Sequence, residues 1–177
     1  AVLEIGYATD NWNLACETLK LNKAAKEIVY EDIINIDFRA LRKRIGKVDC
    51  LIGGPPCPPF SKSRFYLKEK KRSINDQQGL LTLTQYFHAL SELKPKVFFF
   101  ENVHGFFYKP HQDAFELLKR ESEKLGYEIS YSVLSAADYG VPQIRSRFIC
   151  IGAKKPFGKF KFPEATHENP SKKVKNS

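Results

Sequence analysis

The apolar run from Val48 to Ile52 stops at Gly53-Gly54-Pro55-Pro56-Cys57-Pro58-Pro59-Phe60-Ser61. A short run of this kind reads as a buried strand, and two glycines followed by prolines end it abruptly. Each proline fixes φ and removes a backbone donor, so Cys57 is expected on a stiff loop at the carboxyl edge of a sheet. In open α/β sheets that edge is where ligands bind. Sulfur attacks as thiolate and needs a positive or donor-rich surrounding. From Ser61 through Arg72 the chain places six Lys or Arg against one Glu. The plainer reading of the same stretch is a structural turn with a buried cysteine.

The remaining pattern alternates strands and helices. Strands are expected at 2–9, 27–31, 48–52, 95–100, 127–134 and 145–153, and helices at 13–21, 37–45, 80–93 and 111–125. That order predicts an α/β fold, a doubly wound, mostly parallel sheet with an antiparallel pair near its C-terminal end. Pro95 to Phe100 is apolar on both faces, as a central strand requires. It leads into Glu101-Asn102-Val103, and a carboxylate there is costly to bury unless it is used or paired. Arg145 and Arg147 alternate and so share one face of the last strand, able to grip an oxygen-rich ligand or to serve as ordinary edge-strand charges. Asp10 ends the first strand before a helix, where an acid holds a ribose or caps the helix. Asp32 stands in the same position after the next strand. The helix at 37–45 carries its charges on a solvated face.

The net charge of +9 over 177 residues points to an anionic partner. No apolar run approaches the ~18 residues of a membrane span. The cysteines Cys16, Cys50, Cys57 and Cys150 lack metal-ligand spacing, so no metal is expected. Cys16, Cys50 and Cys150 fall in apolar or mixed patterns and are expected as reduced core residues, consistent with a cytoplasmic protein. The basic stretch at 61–76, with Phe65 and Tyr66 interleaved, reads either as a lid that touches phosphates or as a solvated loop.

Gly-Gly-Pro-Pro-Cys57-x-x-Phe-Ser, then Glu101-Asn102-Val103, then Gln143-x-Arg145-x-Arg147 resembles, in order and rough spacing, the cytosine-C5 DNA methyltransferase family. The resemblance implies catalysis by Cys57, Glu101, Arg145 and Arg147 on a flipped-out cytosine in duplex DNA, with S-adenosylmethionine as methyl donor. It implies cofactor contacts from Asp10, Asn11, Trp12, Asp32, Ile33, Pro55 and Leu81, with Asp10 on the ribose and Asp32-Ile33 on the adenine. It implies substrate contacts from Pro56, Ser61, Ser63, Asn102 and Gln143. Glu101 is expected to be buried and protonated so that it donates to ring nitrogen 3.

The chain departs from the family at three positions. Asn11 stands where a bulky side chain usually follows the acid, Pro58 where glutamine usually follows the cysteine, and Gln78 where an arginine is frequent. The family's first strand and glycine loop are expected before residue 1, and its target-recognition region after residue 177. Residues 1–153 then form a partial catalytic domain and 154–177 a basic linker, with a second polypeptide or further segments completing the enzyme. Two alternatives stay open: a tRNA cytosine-C5 methyltransferase, and a non-catalytic nucleic-acid-binding or regulatory homologue.

Overall fold

A computed structural model describes residues 4–55, 77–108 and 112–167. The elements run β1 (Tyr7–Asp10), α1 (Asn13–Leu21), β2 (Glu27–Tyr30), α2 (Phe38–Ile45), β3 (Cys50–Gly53), α3 (Gln77–Leu93), β4 (Val97–Val103), α4 (Gln112–Lys124), β5 (Glu128–Ser135) and β6 (Ser146–Ala153). The fold is α/β. Among the described residues it contains two sheets: β1 and β2 pair in parallel, and β3-β4-β6-β5 form a mixed sheet. In the second, β3–β4 is parallel, whereas β4–β6 and β5–β6 are antiparallel. The antiparallel pair lies where the sequence places it. No helix among the described residues is long and apolar enough to cross a membrane.

Local chemistry sets the element ends. The Asp37 carboxylate accepts the Ala40 amide at 2.9 Å and caps α2, and Gly46, at φ +79°, closes it by donating its N–H to the Arg42 carbonyl. β4 runs farther than its apolar stretch suggests, because β6 pairs with it out to Val103↔Arg147. Glu101, Asn102 and Val103 therefore sit inside the strand, not after it. The first strand starts at Tyr7, later than expected, and β3 spans Cys50–Gly53.

On β4, Phe98, Phe100 and Asn102 are buried on one face. Phe98 and Phe100 join Tyr86 and Leu90 of α3, Leu118 of α4 and Phe148 of β6 in the main core. Burying each such side chain stabilises the fold by roughly 1.5–3 kcal/mol. Gly152 of β6 is required by this packing, since a Cβ there would lie 2.0 Å from the Phe98 ring. A second cluster, Phe38 and Leu41 of α2 with Ala89 and Leu93 of α3, packs against both Tyr7 of β1 and Leu51 of β3. The two sheets are thus tied through one helical layer. In α4, Phe115 and Leu118 are buried and Leu117 is half-buried, as is Leu125 just after the helix.

Cys16 and Cys150 are buried, but Cys50 is exposed, contrary to its expected place in the core. The strand pattern is right, but β3 pairs only with β4 among the described residues, which leaves its outer face open. The stretch after β6 folds back onto the sheet: the Phe160 amide donates to Ser130 Oγ at 3.0 Å, and the Thr166 and His167 amides donate to the Asp138 carbonyl.

Candidate active site

One group of candidate residues converges where β3, β4 and β6 meet. Glu101 and Arg147 are diagonal neighbours on one face, because Val103 stands opposite Arg147. Their side chains form an ion pair, Nε to Oε1, at 2.8 Å. Both are partly solvated, with Arg147 25% and Glu101 33% exposed, so the carboxylate answers the cost of its position by pairing and not by deep burial. That differs from the buried acid expected from the sequence. The Arg147 Nη1 also donates to the Ser146 carbonyl at 2.9 Å.

Asn102 points the opposite way and is fully buried. Its Nδ2 donates to the Pro55 carbonyl at 3.2 Å, and its Oδ1 accepts the Val103 amide at 2.9 Å. Both ends of the side-chain amide are therefore committed to backbone. The bond to Pro55 ties the end of β4 to the loop that continues toward Cys57.

The two glycines closing β3 have separate causes. A Cβ on Gly53 would fall 2.5 Å from the Tyr86 ring, which is itself fixed by a hydroxyl bond to the Phe99 carbonyl at 3.1 Å. A Cβ on Gly54 would stand 3.2 Å from Glu101 Oε2. Sequence reading marks both glycines as strand breakers and misses these contacts, which appear only once α3 and β4 are in place. Arg145 lies just before β6, with an exposed side chain and its carbonyl accepting the Ala136 amide at 3.0 Å. Gln143 is exposed in the preceding turn. Cys57, Pro56, Ser61, Ser63 and the basic stretch at 61–76 lie outside the described residues.

A second group gathers at the carboxyl ends of β1 and β2. Asp10 is the last residue of β1, and its Oδ1 accepts the Trp12 amide at 2.8 Å. Trp12, not Asp10, is the N-cap residue of α1, and it makes no side-chain cap bond. Asp32 caps the short 3-10 turn Ile33–Asn35 by accepting the Ile34 amide, and its other oxygen accepts from Asn11 Nδ2 at 3.1 Å. The Trp12 side chain is 63% exposed. Ile33 packs against the α2–α3 cluster. Leu81, early in α3, is exposed. No hydrogen bond or ion pair among the described residues joins the two groups, and no set of three His, Cys, Asp or Glu converges there as a metal site.

The model of the C-5 cytosine-specific DNA methylase family matches residues 1–177. The chain is 39% identical over 176 residues to the Type II methyltransferase M.SacI of Streptomyces achromogenes, covering 97% of this chain and 44% of that protein. It is 34% identical over 165 residues to the Type II methyltransferase M.AquIA of Picosynechococcus sp., covering 86% of this chain and 63% of that one. The chain thus spans roughly half the length of these curated relatives. The solved structure of the Entamoeba histolytica methyltransferase EhMeth shares the fold, with a TM-score of 0.68 at 23% identity, covering 93% of this chain and 49% of that one.

Proposed function

Because the chain belongs to the C-5 cytosine-specific DNA methylase family, we propose that it carries the chemical residues of a DNA cytosine-C5 methyltransferase of a restriction-modification system. The observation that carries this reading is the junction at β3, β4 and β6. There Asn102 holds Pro55, two positions before Cys57 in the sequence, and the adjoining Gly54 lies against Glu101 of the Glu101–Arg147 pair.

Carbon 5 of cytosine is a poor nucleophile. The Cys57 thiolate adds to carbon 6, which makes carbon 5 enamine-like and drives negative charge onto the ring. Arg147, released from Glu101 when the base enters, donates to the carbonyl oxygen at position 2, with Arg145 beside it. Glu101, protonated on losing its ion pair, donates to nitrogen 3. Bound S-adenosylmethionine supplies the methyl group. Water takes the carbon 5 proton, and the electron pair left behind restores the 5,6 double bond and expels the Cys57 thiolate. The base is out of reach inside a duplex, so it is flipped out, held by Pro56, Ser61, Ser63 and Gln143. Asn102 serves this step by holding Pro55.

The group at the ends of β1 and β2 fits the adenosine part of the cofactor by its donor set. Asp10 Oδ2 has no hydrogen bond among the described residues and suits ribose hydroxyls. Asp32 suits the adenine amino group, with Asn11 and Trp12 beside it and Ile33, Pro55 and Leu81 around the ring. A further strand between β1 and β3 would merge the two sheets into the doubly wound sheet expected from the sequence. Segments outside 1–177, or a second polypeptide, would supply that strand, the glycine loop and the target reader. Residues 1–153 are then the partial catalytic domain, and 154–177 lead to the reader.

The test is covalent capture by the full-length protein, with S-adenosylmethionine, on duplex DNA containing 5-fluorocytosine. The fluorine blocks the final elimination. A denaturation-resistant adduct that maps to Cys57 and is lost in Cys57→Ala is expected. Cofactor binding without any DNA adduct would overturn the reading, and an adduct on tRNA alone would replace the substrate.

A further inference from the structure

Asp32 has both carboxylate oxygens engaged by its own chain. Oδ1 accepts the Ile34 amide at 3.1 Å, and Oδ2 accepts the Asn11 side-chain amide at 3.1 Å. The first bond belongs to the cap of the 3-10 turn. The second crosses from the segment after β1 to the segment after β2. It is not needed to hold those strands, which are already in register from Tyr7↔Glu27 to Asp10↔Tyr30, with the Glu31 amide bound to the Asp10 carbonyl beyond them. Asn11 therefore spends its amide on the orientation of Asp32.

A carboxylate held at one oxygen can still turn about its last torsion; held at both, it has a fixed plane. Each oxygen has a second lone pair, so the group stays a pure acceptor toward a ligand. The pin is neutral: a lysine in its place would fix Asp32 equally and cancel its charge, while asparagine leaves the full acceptor strength. The neighbourhood adds to this character, since Glu31 Oε1 already accepts from the Asp32 amide and from Asn35 Nδ2. No ion pair with a Lys or Arg is formed by Asp10 or Asp32 among the described residues.

We infer that Asn11 is a positioning residue that fixes Asp32 as an oriented acceptor and makes the site select a 6-amino purine over a 6-oxo purine. This rests on the cofactor reading above. A fixed acceptor rewards an N–H aimed at it and opposes a carbonyl lone pair against lone pair, and such a mismatch discriminates more strongly than a missing apolar contact. An unpinned, solvated carboxylate turns away from the mismatch and discriminates less.

The full-length protein is titrated calorimetrically with S-adenosylhomocysteine and with its 6-oxo counterpart, S-inosylhomocysteine. The wild type is expected to favour the amino ligand. Asn11→Ala is expected to weaken the amino ligand roughly five- to tenfold, the scale of one lost hydrogen bond, while changing the oxo ligand little. The ratio of the two affinities falls while the melting temperature stays put. Asp32→Asn, whose amide can turn its donor to the ligand, should lose or reverse the preference. If Asn11→Ala weakens both ligands equally, or neither, the positioning role is wrong although the cofactor reading stands. A wild-type protein that binds neither ligand overturns the cofactor reading and this inference with it.

Discussion

Arg147 Nε lies 2.8 Å from Glu101 Oε1, across one diagonal of the β4–β6 ladder. Under the proposed mechanism the pair has two different jobs, and a pair of substitutions separates them. As a structural ion pair it is worth little: both side chains are a quarter to a third exposed, so Arg147→Ala should cost under about 1 kcal/mol of stability. In the proposed role of transition-state donors both should matter far more. Single-turnover methyl transfer by the full-length protein should fall about 10²–10³-fold in Arg147→Ala. In Glu101→Gln, which keeps the shape and loses the acid, the fall should be about 10²–10⁴-fold. A melting temperature that dropped in step with the rate would show that the pair acts through the fold.

The Gly53-Gly54 pair should split in the opposite direction. Gly53→Ala drives a methyl to 2.5 Å from the ring of Tyr86, a buried residue with no room to yield. Overpacking of that kind costs roughly 1–3 kcal/mol, read as a lower melting temperature. Gly54→Ala crowds only the end of a flexible side chain, Glu101 Oε2, at 3.2 Å, with the Glu101 carbonyl oxygen at an ordinary 3.7 Å. The fold should tolerate it, and the carboxyl group should shift by a few tenths of an ångström. Rate is steeply sensitive to such placement, so a roughly tenfold slower methyl transfer with an unchanged melting temperature is the expected result.

Those two glycines also show what a sequence can and cannot convey. Periodicity placed α1 at Asn13–Leu21 and the antiparallel β5–β6 pair, because these features depend on local spacing. It could not place the end of β4, which is set by the far partner strand, or the exposure of Cys50, which depends on what lies beside β3. Glu101 and Arg147 were legible as residue types, but their pairing was not, since 46 positions separate them in sequence (147 − 101). Asn102 reads as a member of a motif, and only the fold shows its amide holding the Pro55 carbonyl.

Asn102 carries its own prediction. Asn102→Ala removes the partner of the half-buried Pro55 carbonyl and Val103 amide, and the side chain lost is itself fully buried. Unsatisfied buried groups of this kind cost roughly 1–3 kcal/mol each. Asn102→Asp should be worse at neutral pH, because a buried carboxylate would face the Pro55 carbonyl oxygen. Burial without a cation raises the folded-state pKa of that carboxyl above its unfolded value. Its penalty therefore appears as pH rises through the unfolded value of about 4 and is absent below it. Chemical denaturation at pH 3.5 and pH 7 should show the Asp variant closing much of the gap to wild type at the lower pH.

Cys150 gives a stability change at the alkaline end. The thiol, on β6 opposite Phe100, is fully buried in the main core, and burial pushes it from 9.0 up to about 12. The hydroxyl of Tyr127, bonded to the Pro95 carbonyl, is likewise pushed by burial from 10.0 to about 12. In both cases the unfolded chain releases a proton that the native state retains. Stability is therefore fully present below about pH 9 and falls as pH rises from there toward about 12. For one such group the slope approaches about 1.4 kcal/mol per pH unit within that window. Melting temperature followed from pH 8 to pH 11 should decline, and Cys150→Ala, less stable at pH 8, should decline less steeply. The same shift makes Cys150 a poor nucleophile, so brief alkylation of the native protein at pH 8 should leave it and the buried Cys16 unlabelled, while Cys50, whose thiol is also pushed up by partial burial and by Asp49 but is open to solvent, reacts faster than either. Labelling of Cys150 at a rate matching Cys50 would contradict both its burial and its place in the alkaline slope.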